Sequence, residues 1–202
     1  AYTVDASNPV YCTIDSVLCG KSTTDEPEAL VSFPKKKKVL NGEYVVPDGI
    51  KKVETKAFED CQLVSVLNLN NVEEVASSVS SKSNITEVII GANLPVYPAG
   101  TITGSKLKAY TVSEGNLWLY SHDGALFRTI NNRTNNYSDF NPVEGQTYTA
   151  GTDYWYKLVG VPGAKTGSYE MPKYTLVIGS YTRKNTVKIT DISFNEELEV
   201  LE

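Results

Sequence analysis

Ala-Tyr-Thr-Val opens the chain at residue 1 and returns at residue 109. The return is longer than a tetrapeptide. Counted from each start, an Asn stands at the eighth position (Asn8 and Asn116), an Asp at the fifteenth (Asp15 and Asp123) and a Leu at the eighteenth (Leu18 and Leu126). Further on, LVSFP at 30–34 is answered by LVGVP at 158–162, GEYVVP at 42–47 by GSYEMP at 167–172, and KKVETKAF at 51–58 by VKITDISF at 187–194. Landmarks kept in one order describe a duplicated unit, 1–69 and 109–202. Each copy must then build the same supersecondary structure, a stronger constraint than any local propensity. The separation grows from 108 residues at the opening phrase to 128 at Leu-Val-x-x-Pro and 136 at the closing Phe. It predicts an insertion at 128–157 and another between Pro172 and Phe194, partly offset by a small deletion.

A shorter period runs inside the first copy. LVSVLNL begins at Leu63, ITEVII at Ile85 and LKAYTV at Leu107, each 22 residues after the last. Between them, Val72, Val75 and Val79 correspond in role to Leu94, Tyr97 and Ile102. A period of this length with a short alternating strand is the signature of a leucine-rich repeat, in which only stacking of turns closes the core. Asn68 falls where the third apolar residue should be, unless the register starts at Val64 and runs through Leu67 and Leu69; a bulge could reconcile the two. Thirteen Tyr in 202 residues, with abundant Thr, Val and Asn, also favour strands and turns over long helix. The expected fold is mostly β: a leucine-rich-repeat solenoid with inserted β-hairpins and only short helical turns, forming one domain over 1–202.

YVVPDGIKKVETKAFEDCQLVSVLNL resembles the BspA-like (Treponema-type) leucine-rich repeats, through Val46-Pro47, Ile50, Val53, Ala57-Phe58, Cys61, and Leu63 with Val66. A hairpin interleaved between solenoid turns is matched by Asn8, Tyr11, Asp15, Val17, Leu18, Leu30 and Pro34. Asn116, Asp123, Gly124, Leu126, Leu158 and Pro162 match it again. Two turns depart from the pattern: Ser77, Ser78 and Val79 replace the Ala-Phe pair, and Ser193 precedes Phe194. Looser packing is expected there. The resemblance implies a secreted or cell-surface protein that binds host proteins or other cells, with this chain a segment of a longer array. It lacks an initiating Met and a basic-then-apolar leader, so any signal or anchor is expected outside this segment.

Catalytic chemistry finds little footing. The net charge of −5 argues against nucleic acid, whose binding rests on Lys and Arg at phosphates. No stretch has the length of apolar sequence a membrane helix needs, so membrane contact is expected only through an anchor elsewhere. His122 is the only His and reads as structural. The acid pairs Glu59-Asp60, Glu73-Glu74 and Glu196-Glu197 read as solvated turn residues, because strand neighbours point to opposite faces. Asp139, Asn141 and Glu144 lack the spacing of a calcium loop. Lys35 to Lys38 read as a solvated connector. No enzyme activity, cofactor or metal is expected. Cys12 aligns with Tyr120 and Cys19 with Phe127; with Cys61 they are expected as free thiols, a Cys12 to Cys19 bridge remaining the alternative. Asn84, Asn132 and Asn136 each begin a glycosylation sequon, meaningful only in a eukaryotic secretory setting.

The insertion, RTINNRTNNYSDFNPVEGQTYTAGTDYWYK at 128–157, is where the two copies differ most. Insertions in solenoids gather on one face, frequently the binding face. Tyr and Trp offer rigid contact area with a polar tip, and Asn offers adaptable hydrogen bonds. Tyr137, Phe140, Tyr148, Tyr154, Trp155 and Tyr156 are therefore the candidate ligand-binding residues. The competing reading is that they extend the hairpin strand and cover the solenoid flank. An adhesin-like protein-binding module is the leading functional expectation, using an extended face of strands plus this insertion. A glycan-binding module using Trp155 and neighbouring Tyr rings is the alternative.

Overall fold

The computed structural model describes residues 1–98, 100–102, 106–179 and 188–202. It is a mostly β solenoid of about seven turns. Its central wall is a parallel sheet of β4 (Glu43–Val45), β6 (Val66–Asn68), β8 (Glu87–Ile90) and β9 (Ala109–Val112). Side chains alternate across a strand, so the residue at the centre of each strand triplet points into the core. In register these are Tyr44, Leu67, Val88 and Tyr110, all buried.

A second sheet closes the core from the other side. Its order is β1 (Tyr11–Ile14), β2 (Val17–Lys21), β3 (Pro27–Ser32), β5 (Lys52–Val53) and β7 (Glu74–Val75). β1, β2 and β3 pair antiparallel, as hairpins do, and β5 and β7 then add in parallel, as solenoid turns do. The other half of the chain repeats this order as β10 (Leu119–His122), β11 (Ala125–Ile130), β12 (Trp155–Gly160), β14 (Thr175–Ile178) and β16 (Val200–Leu201). β13 (Gly167–Glu170) pairs in parallel with β15 (Ile189–Ser193), as β4 does with β6.

This pairing moves one expected correspondence. KKVETKAF carries β5, which lies beside β3, whereas VKITDISF carries β15, which lies beside β13 in the other wall. The place of β5 is taken by β14: Leu30 faces Val53, and Leu158 faces Ile178. Tyr44 likewise faces Leu67, and Tyr169 faces Ile192. The separation is then a constant 125 residues from Tyr44 to Leu67, and no insertion after Pro172 is needed to align the halves. Part of that expected insertion, 180–187, lies outside the described residues. Phe58 is fully buried while Phe194 is 52% exposed.

The register question is decided for Val64. Val64, Leu67 and Leu69 are buried and Leu63 is 43% exposed, so Leu63 and Val66 do not carry the core as the resemblance implies. The buried positions step from Val64 to Ile85 to Leu107, one residue shorter in the first step. Val46, Ile50, Val53, Ala57, Phe58 and Cys61 are all fully buried, as expected. The turn without the Ala-Phe pair is closed rather than loose. Val79 and Ser80 are fully buried, and the Ser80 hydroxyl donates to the Phe58 carbonyl at 3.3 Å.

Both hairpins turn through two left-handed residues, Asp15-Ser16 (φ 46° and 62°) and Asp123-Gly124 (φ 45° and 75°), the geometry that matches strand twist. Gly124 also sits against the next strand: a Cβ there would meet the Lys108 carbonyl at 3.2 Å. The Tyr2 N–H donates to the Ser16 carbonyl and the Tyr110 N–H to the Gly124 carbonyl, so each Ala-Tyr-Thr-Val runs past the tip of the hairpin it precedes. Asn8 accepts from the N–H groups of Val10 and Tyr11, and Asn116 from those of Trp118 and Leu119. Repeated landmarks are thus turn and cap residues whose backbone geometry demands them.

Candidate interaction surface

The insertion leaves β11 after Ile130 and rejoins at Trp155, its direct cross-strand partner. Between them the backbone folds back on itself: the Asn131 N–H donates to the Ser138 carbonyl, and that of Phe140 to Thr129. Arg128 pairs with Asp139 at 2.7 Å. Tyr148 accepts from the Val143 N–H at 2.8 Å and donates to Gln146 at 2.9 Å.

The six candidate aromatics fall into two groups. Tyr156 stacks on Tyr120 with centroids 4.7 Å apart and meets Phe127 and Tyr154 edge to face. Tyr154 leads on to Phe140 at 5.4 Å, and Phe140 to Tyr148 at 4.9 Å. This chain of rings joins the insertion to the core made by Phe127, Leu158, Tyr169 and Met171. Trp155 and Tyr137 instead pack with Ile130, Leu176 and Val177, and the Tyr137 hydroxyl donates to Glu199 at 2.6 Å.

A sugar-stacking platform needs an open ring face, and these rings are largely spent on one another. Phe140 and Tyr156 are buried, and Tyr137, Tyr148, Tyr154 and Trp155 are partly so. Burial, reinforced by Tyr154, holds the Tyr156 hydroxyl well above the ordinary tyrosine range. Exposed groups of the insertion are chiefly Asn135, Asn136, Val143, Glu144, Gln146 and Thr147.

A second surface is supplied by the parallel wall. Residues flanking the inward ladder point out of the sheet in register: Glu43, Val66, Glu87 and Ala109 form one row. Val45, Asn68, Ile89 and Thr111 form the next. At about 4.8 Å between strands the rows span roughly 14 Å. Val45 is 47% exposed, and Thr111 donates to Glu87 at 2.8 Å across adjacent strands. The face mixes apolar and acidic groups. The sequence signal was the two residues flanking each buried centre in EYV, VLN, EVI and AYT, which become outward positions once the strand register is known.

Charges elsewhere are mostly engaged. On the other wall a groove of about 410 Å³ is lined by Glu28, Lys51, Lys52, Glu73 and Glu74. Lys51 pairs there with Glu73 at 2.7 Å, and Lys52 with Glu74 at 3.1 Å. Within the lysine tetrad, Lys35 pairs with Asp60 and Lys37 with Asp15. The hydrogen bond from Lys35 holds the Asp60 carboxyl below its usual range. Lys165 with Asp123 at 2.7 Å repeats the Lys37 to Asp15 contact, so one lysine of each connector latches the preceding hairpin tip. His122 lies between the rings of Tyr120 and Tyr169, 6.4 Å from each. Among the described residues no group of three or more His, Cys, Asp or Glu could hold a metal. Among them, too, no helix is long and apolar enough to cross a membrane.

No protein-family model matches the sequence, and no curated protein matches it. Solved structures are similar in fold. The pneumococcal vaccine antigen PcpA matches 96% of this chain at 17% identity with a TM-score of 0.44. A leucine-rich cell-surface protein of Faecalibacterium prausnitzii matches 92% at 13% identity and 0.41, and a leucine-rich-repeat protein of Eubacterium ventriosum 99% at 13% and 0.43. The chain spans 56%, 40% and 61% of their respective lengths.

Proposed function

We propose that this chain is a non-enzymatic, protein-binding module of a secreted or cell-surface protein, adhesin-like in engaging host or other extracellular proteins. The observation that carries the reading is the in-register outward face of β4, β6, β8 and β9. Four successive turns present side chains there that the core does not use, at a spacing suited to a protein partner rather than to a small molecule. Val45, Val66 and Ile89 supply apolar contact, and Glu43 and Glu87 favour a partner with a basic rim. Exposed polar groups of the insertion would extend the surface, while its aromatics hold it in place. The repeated pairing order also supports reading 1–69 and 109–202 as two copies of one unit.

The test is a panel of extracellular matrix and cell-surface proteins, run beside a glycan array, on three chains. These are the intact chain, Val45→Glu with Ile89→Lys, and a chain in which 131–154 is replaced by Asn-Gly. That replacement keeps Ile130 and Trp155 as the residues flanking a two-residue hairpin turn. The reading expects a protein ligand whose affinity falls at least tenfold with the double substitution. Sugar binding by the intact chain that is lost in a fourth chain, Trp155→Ala, would replace it with the glycan reading. Protein binding lost only with the insertion would move the site off the sheet.

A further inference from the structure

Antiparallel pairing sets Cys12 directly opposite Cys19. The Lys21 N–H donates to the Val10 carbonyl at 2.9 Å, which makes Val10 and Lys21 a hydrogen-bonded pair; counting by twos along the hairpin, so are Cys12 and Cys19. Cα atoms of such a pair stand about 5.5 Å apart, within the span a disulfide bridges. Their Cβ atoms, at about 4.5–5.5 Å, are somewhat farther apart than the roughly 3.8 Å a relaxed disulfide prefers. A bond there closes with a small approach of the strands and carries strain, the condition that makes a disulfide easy to reduce. The matching positions of the second hairpin hold Tyr120 and Phe127, also directly opposite.

The two thiols differ in access. Cys12 is half-buried and Cys19 is buried, while Cys61 is buried in another turn against the Phe33 carbonyl. All three are free thiols in this structure. Burial, with Cys12 adding to it, pushes the Cys19 thiol up to about 11.

We propose that Cys12 and Cys19 are a redox-labile pair that closes to a cross-strand disulfide by exchange with a small-molecule disulfide such as oxidised glutathione. The Cys12 thiolate attacks one glutathione sulfur and releases a glutathione thiolate. The Cys19 thiolate then attacks the Cys12 sulfur of the mixed disulfide and releases the second. The protein loses two protons and two electrons, and oxidised glutathione takes them up to become two thiols. The bond staples the first hairpin only, since the second has no sulfur at these positions.

The test incubates the folded, full chain with oxidised glutathione at mildly alkaline pH, followed by unfolding, alkylation and tryptic mapping. The peptide Ala1–Lys21, which contains both residues, is expected two hydrogens lighter and unalkylated, with Cys61 alkylated. Excess reduced glutathione, added without denaturant, is expected to restore two alkylatable thiols. Three results would overturn the proposal: glutathione retained on Cys12 with Cys19 still free, closure only in denaturant, or a bond that reduced glutathione cannot reopen in the folded chain.

Discussion

Hairpins β1–β2 and β10–β11 share a two-residue turn, an Asn cap and a lysine latch, yet the strands that follow them meet different surroundings. β3 places Glu28 in solvent, whereas β12 buries Tyr156, which stands two residues before Leu158 as Glu28 stands two before Leu30. The cause lies one strand away. In the first hairpin the cross-strand pair is Cys12 and Cys19, small groups that the main core can absorb. In the second it is Tyr120 and Phe127, and their rings extend the apolar surface onto β12. Phe140 and Tyr154 of the insertion then cover it. The insertion therefore completes a second core, and its aromatic richness is first an answer to packing.

The sharpest way to break this comparison is to truncate the matching residue of each pair. Phe127→Ala should cost about 3–5 kcal/mol, because it empties a fully buried ring site. Cys19→Ala should cost only about 1 kcal/mol, close to the value of one buried methylene-sized group. Urea unfolding followed by circular dichroism measures both, and equal losses would mean that the two pairs carry equal packing. Next in size, Phe140→Ala should cost about 3 kcal/mol and make the Tyr156 ring accessible to solvent fluorescence quenchers. A change below about 1 kcal/mol would show the insertion to be dispensable cover.

The turns offer a finer contrast. Ser16 and Gly124 share a left-handed backbone that costs an L residue about 1–2 kcal/mol. Ser16→Gly should stabilise by somewhat under 1 kcal/mol, after the entropy glycine loses on folding. Gly124→Ala should destabilise by about 1–2 kcal/mol, and more if the Lys108 carbonyl cannot yield. Opposite signs in thermal melts confirm a shared turn geometry. The smallest effect belongs to the latches. Lys37→Ala and Lys165→Ala should each cost under about 1 kcal/mol and lose that difference in high salt, since both Asp partners are largely exposed. Lys165 should matter more, because its ammonium also reaches the Asp123 carbonyl and lies 5.1 Å from the Tyr169 ring centre.

The sequence by itself determined the solenoid, the duplicated landmarks and most of the core. A period near 22 residues with two-residue alternation leaves only one way to bury Val46, Ile50, Val53, Phe58 and the strand residues after them. The hairpins were legible only through the resemblance, whose landmarks include the turn residues Asp15, Asp123 and Gly124. Tertiary pairing alone decided the rest. It chose Val64 over Leu63, set VKITDISF beside β13 rather than β12, and sorted the candidate aromatic rings into two groups. Those choices depend on which strand lies next door, and local periodicity does not name a strand's neighbour. The outward face of the parallel wall was hidden likewise: Val45, Asn68, Ile89 and Thr111 belong to separate turns, and only hydrogen-bond register makes them one surface.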